Sequence, residues 1–117
     1  MTAIFSFNYL NKEAHERLKE VQFSKKGSKR LCFHKDKNSD LHAMLIMLKE
    51  NAFYEEHRHQ KDEMILLQEG EVEVRFKNEI VKLKMEENRL LIIEKGVLHS
   101  VKAGRKGATI LEVIAHK

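Results

Sequence analysis

The chain has 117 residues, the size of one domain, and 42% of them are apolar, enough for an ordinary core and unlike a disordered or collagen-like chain. No apolar run approaches a membrane span, the longest being Ala43–Leu48, and the single cysteine, Cys32, excludes an internal disulfide and fits a reducing compartment. The net charge of +4 is modest, and its one cluster, Lys25-Lys26-Gly27-Ser28-Lys29-Arg30, lacks interleaved aromatics, so it reads as a solvated loop and not as a nucleic-acid surface.

The first residues, Met1 to Asn8, carry no basic n-region and no long apolar stretch, so no signal peptide is expected and the chain reads as soluble and cytoplasmic. A helix follows. Asn11 can cap it, and Ala14, Leu18 and Val21 recur at helical spacing in the uninterrupted stretch Lys12–Ser24. The remainder reads as short strands separated by polar turns: Arg30–His34, Leu41–Leu48, Ala52–His59, Glu63–Gln68, Glu71–Lys77, Glu79–Leu83, Arg89–Ile93, His99–Lys102 and Thr109–Ala115. Glu71–Phe76 alternates strictly, as a half-buried strand does, whereas Met44–Leu48 and Leu90–Ile93 are apolar on both faces and are expected to be fully covered. With no proline anywhere, the turns rest on Gly27, Gly70, Gly96, Gly104, Gly107 and on asparagines. Many short strands at close spacing predict an all-β sandwich or barrel.

Chemistry concentrates in His57-Arg58-His59-Gln60-Lys61-Asp62-Glu63. On a strand, His57 and His59 project to the same side. Gln60–Asp62 is a polar turn, after which Glu63 can return beside the two imidazoles. His99, on a distant strand, is the candidate fourth ligand. Three imidazoles and one carboxylate suit one divalent transition metal (Fe, Mn, Ni, Co or Zn), with two positions of an octahedral ion left open.

These residues resemble the two motifs of the cupin superfamily. The first motif is a glycine, five residues, His-x-His, three or four residues, Glu, six residues and a glycine; Asn51, His57, His59, Glu63 and Gly70 stand at that spacing. The second is met by Asn88, Gly96 and His99, with Glu94 in place of its proline and Ala103 in place of its final Asn. Asparagine replaces both leading glycines, as suits a left-handed turn. The run Arg30-x-Cys32-x-His34, Leu41-His42-x-Met44-Leu45-Ile46 and Tyr54 further resembles the WbuC-type small cupins over roughly residues 24 to 100. The resemblance implies an all-β jelly-roll barrel (a double-stranded β-helix) with one short N-terminal helix: a single cupin domain over 1–117, comprising a helical segment 1–24 and a barrel 25–117. It also implies a homodimer, a small-molecule ligand or substrate, and a setting in polysaccharide biosynthesis, with no nucleic acid and no membrane.

Other residues admit two readings each. Arg30, Cys32 and His34 share one strand face. If that face looks into the barrel mouth, they bind an anionic substrate or supply an acid, with His34 the candidate base and Arg30 its companion; otherwise Cys32 is buried packing and the other two are rim residues. Tyr54 has the opposite parity to His57 and His59 and points away from the metal unless a bulge intervenes. Glu112 is either a partner of a ligand histidine or the exposed side of an edge strand. His42 reads as structural, and His15 and His116 as solvent-facing. The functional expectation is a metal-dependent isomerase or epimerase acting on a sugar, sugar nucleotide or similar polar metabolite. A ferrous-iron dioxygenase and a non-catalytic ligand-binding cupin are the alternatives.

Overall fold

Asn11 starts helix α1, Lys12–Lys19, by accepting the Ala14 N–H on its side chain at 3.0 Å. The computed structural model describes residues 10–115, so the N-terminal reading and His116 lie outside the described residues. The helix is shorter than its periodicity suggests. The Lys29 ammonium reaches back to the carbonyls of Lys19 and Val21 at 3.1 and 3.0 Å and turns the chain toward the sheet. Val21 therefore leaves the apolar stripe and is exposed, while Ala14 and Leu18 are buried where α1 packs on the first two strands. His15 is half-buried, not solvent-facing.

Seven strands follow: β1 Ser28–Cys32, β2 Leu41–Leu48, β3 Phe53–His57, β4 Glu63–Arg75, β5 Ile80–Lys84, β6 Leu90–Ile93 and β7 His99–Ala115. All pair antiparallel, in the order β1-β2-β7-β4-β5, with β3 added to β7 and β6 added to β4. Two pairs of expected strands are thus fused. Gly70 and Gly107 do not reverse the chain; they sit where β4 and β7 bend past each other, and the register between them shifts at Leu67/Glu69 and Gly70/Val72. A Cβ on Gly70 would lie 2.3 Å from the Gly107 carbonyl oxygen, so only glycine permits this approach.

The alternation of β4 puts Val72 and Val74 inside. They join Met44, Ile46, Leu48, Ile65, Leu67 and Ile110 in one core cluster within the curved sheet. Leu45 faces the other way and is fully buried, so β2 is covered on both sides as expected. β6 is not. It pairs with β4 alone, and its outward residues Leu90 and Ile92 are 50% and 57% exposed, while Ile93 is buried.

Candidate metal centre

β3 ends against the start of β7, whereas β4 starts against the end of β7, opposite Ile114, and the curvature of the sheet brings these ends together. The pairing of β3 with β7 sets His57 directly opposite His99, and Glu63 opens β4 after the loop that carries His59. The structure therefore brings together all four residues that sequence reasoning singled out. One ring nitrogen from each of His57, His59 and His99 lies within 4.8 Å of the others. Glu63 lies between two of the rings, its Oε2 3.4 Å from His59 Nε2 and its Oε1 3.2 Å from His99 Nε2.

The backbone selects which nitrogen faces inward. His57 Nδ1 is 2.8 Å from the Glu55 carbonyl and His99 Nδ1 is 2.9 Å from the Val97 carbonyl. A carbonyl only accepts, so each Nδ1 carries the proton and each Nε2 presents its lone pair to the centre. His59 Nε2, His99 Nε2 and Glu63 Oε1 are buried without a hydrogen-bond partner. Buried lone pairs left in this state are costly unless a cation takes them. The donor set fits a divalent transition metal.

Charge in the site is strongly redistributed. Burial by itself would push the Glu63 carboxyl up, but hydrogen bonding to His99 and then to Glu112, with the charges of His59 and His99, outweighs it and holds the group below the usual carboxylate range. Burial likewise opposes protonation of His99, yet the Glu63 carboxylate and the Val97 carbonyl raise it above the ordinary histidine value. Glu112 goes the other way: burial first, then the neighbouring Glu63 carboxylate, push it to about 8.

The four residues lie at one side of an open cavity of about 480 Å³, a volume suited to a small metabolite. Its apolar wall includes Ile46, Ile65 and Ile110, and Arg30, Tyr54 and Glu112 bring polar groups into it. Two of these placements decide between the readings the sequence left open. The register of β3 shifts between Tyr54 and His57, so a bulge restores Tyr54 to the side of the cavity, where its hydroxyl is buried without a partner. Glu112 is not on an edge, because β7 runs between β2 and β4, and it stands opposite Met44 and Ile65 on the inward face. A lone acid flanked by inward Ile110 and Ile114 is the sequence signal that could have marked it.

The face shared by Arg30, Cys32 and His34 does not enter the cavity as a unit. Arg30 lines it. Cys32 is exposed, so it is neither in the cavity nor buried packing. His34, the candidate base, lies beyond the end of β1 and is not among the cavity-lining residues. Its Nδ1 accepts the Ala43 N–H at 3.1 Å, and its ring stacks on His42 with centroids 4.1 Å apart.

The sequence profile of a domain of unknown function, DUF6016, matches residues 11–88. The chain belongs to the DUF6016 family. No curated protein sequence matches it. Among solved structures, this DUF6016 chain is similar to an RmlC-like cupin from Shewanella frigidimarina, at a TM-score of 0.74 and 19% identity over 97% of this chain and 92% of that one. It is similar to the conserved SPY1581 protein of Streptococcus pyogenes, at 0.72 and 16% identity over 99% and 98%. KdgF from a Halomonas species matches at 0.69 and 18% identity over 82% and 86%. The DUF6016 fold seen here is the all-β cupin fold, and its three clustered histidines can hold a metal ion.

Proposed function

We propose that this chain is a single-domain metalloenzyme in which His57, His59, Glu63 and His99 hold one divalent transition metal, and that it isomerises or epimerises a small polar metabolite such as a sugar or sugar nucleotide. The observation that carries the reading is the set of buried, partnerless Nε2 and carboxylate atoms facing one another beside an open cavity. A bound divalent ion supplies Lewis acidity there, making a neighbouring substrate C–H or O–H more acidic. The protein's own groups do the rest. The Nδ1 hydrogen bonds of His57 and His99 fix both rings before any ligand arrives. The apolar wall limits water around the reacting end of the substrate. With His34 outside the cavity, the side chains facing the substrate that can take or return a proton are Glu112 and Tyr54, and Arg30 is the cation beside them. The WbuC-type resemblance supports a cytoplasmic homodimer in polysaccharide biosynthesis as the setting.

Elemental analysis of protein purified without chelators is the first test. About one equivalent of iron, manganese, nickel, cobalt or zinc is expected, with loss in both His57→Ala and Glu63→Ala. No metal in the native protein, even after reconstitution, would sink the reading. Incubation of the metal-loaded protein with sugars and sugar nucleotides in heavy water then reads the reaction. Metal-dependent deuterium at a substrate carbon supports isomerisation; oxygen uptake dependent on ferrous iron, without deuterium, identifies a dioxygenase instead. Ligand-induced thermal shifts with neither signal identify a binding protein.

A further inference from the structure

Arg30 lines the metal cavity and also a second cavity of about 630 Å³ toward the basic turn, and Tyr54 and Lys26 line both. Arg30 is exposed at this junction, whereas the Tyr54 hydroxyl beneath the surface is buried. Among the described residues no carboxylate lies within ion-pair distance of Arg30, whose one short contact is the Met44 sulfur at 3.7 Å, a weak acceptor. The Tyr54 hydroxyl is buried and makes no hydrogen bond. A guanidinium with no carboxylate in ion-pair contact and a buried hydroxyl with no hydrogen-bond partner line the same two cavities, and both can donate to a ligand there. Glu55 and Glu56 also reach the metal cavity, and like Arg30 they are exposed; they lie between Tyr54 and His57 on β3. Glu112 also lines the metal cavity, near enough for its charge to interact with that of Arg30, but the second cavity that Arg30 and Tyr54 share holds none of the four metal residues and no carboxylate.

We infer that Arg30 and the Tyr54 hydroxyl form an anion subsite, so that the ligand of this cavity is a small molecule bearing a carboxylate or phosphate at the end away from the metal residues. The inference rests on reading the cavity as a ligand site. It adds the substrate class: an acidic sugar or a sugar phosphate, not a neutral sugar. Arg30 sets specificity through its planar fork, which pairs with either anion by two parallel hydrogen bonds, while Tyr54 donates a further bond from a dry position. Lys26, exposed at the mouth, adds long-range attraction.

The test measures binding of inorganic phosphate and of D-glucuronate to the purified protein by calorimetry. Sodium chloride at equal ionic strength and D-glucose serve as controls. At least one of the two anions binds at least about tenfold tighter than its control, and the stronger one tells phosphate from carboxylate as the natural source. Arg30→Gln removes the advantage, Arg30→Lys keeps a part of it, and Tyr54→Phe weakens it, all three with wild-type metal content and circular dichroism. The same titration in His59→Ala separates this inference from the metal reading. An anion preference that persists there belongs to Arg30 and survives even if no metal is ever found. Absence of any preference in the wild type, or a preference unchanged in Arg30→Gln, overturns the subsite.

Discussion

At Asn51 the backbone has φ of 59°, the one non-glycine residue with positive φ among those described, and its N–H donates to the Gly104 carbonyl at 2.9 Å. A left-handed conformation is tolerable for asparagine and costly for a branched side chain. Asn51→Gly is therefore expected to change stability by less than about 1 kcal/mol, and Asn51→Val to destabilise by roughly 1–2 kcal/mol, in urea unfolding of both variants. Equal midpoints would show that this turn does not constrain the approach to β3. The asparagine-for-glycine reading was legible at this position but not at Asn88, which keeps a negative φ and accepts the Lys84 N–H in an ordinary turn. Single residues also mark where strand parity fails as a guide. His57, His59, Glu63 and His99 come together because their spacing encodes a hairpin and a register. Tyr54 is displaced by a bulge with no signature in Tyr54-Glu55-Glu56-His57, so alternation assigned it to the wrong side.

At the level of elements, glycine has two meanings that sequence does not separate. Gly96 ends a turn in open space, with nothing within 4 Å of a Cβ built there. Gly70 and Gly107 instead let three backbones meet: a Cβ on Gly70 would crowd the Gly107 carbonyl at 2.3 Å, and one on Gly107 would crowd the Leu48 carbonyl at 2.6 Å. Reading all of them as turns split β4 and β7 into two strands each. The alternation within Glu71–Phe76 was nevertheless read correctly, because a bend leaves the period on either side intact. Both glycines have φ near +80°, so the expected difference between their alanine variants comes from packing. Gly96→Ala costs about 1 kcal/mol from backbone conformation alone. Gly70→Ala adds a clash with backbone that cannot rotate away, and a loss of about 3 kcal/mol or more is expected. Thermal unfolding of the pair decides it; indistinguishable midpoints would mean that β4 and β7 separate at the bend without penalty.

For the whole molecule, the metal residues tie together the C-terminal end of β3, the loop after it and the N-terminal ends of β4 and β7. β4 and β7 are also the strands shared by every other pairing except that of β1 with β2. An ion held by this set cannot be bound by the unfolded chain with comparable affinity, because the ligands span His57 to His99 and meet only through the antiparallel pairing of β3, β4 and β7. Metal binding should then stabilise the entire fold. At a free metal concentration a hundredfold above Kd the gain is about 2.7 kcal/mol, or roughly 10 °C in Tm for a chain of this size. His59→Ala isolates the cause. Its ring is 31% exposed, and its Nε2 is one of the partnerless buried atoms, so losing it should leave the metal-free Tm within a few degrees of wild type. The metal-dependent rise, by contrast, should nearly vanish. Differential scanning calorimetry of both proteins, with chelator and with saturating metal, gives the four numbers needed. If wild type melts at the same temperature in both conditions, the partnerless atoms do not await an ion. If His59→Ala keeps the full rise, the ion sits elsewhere.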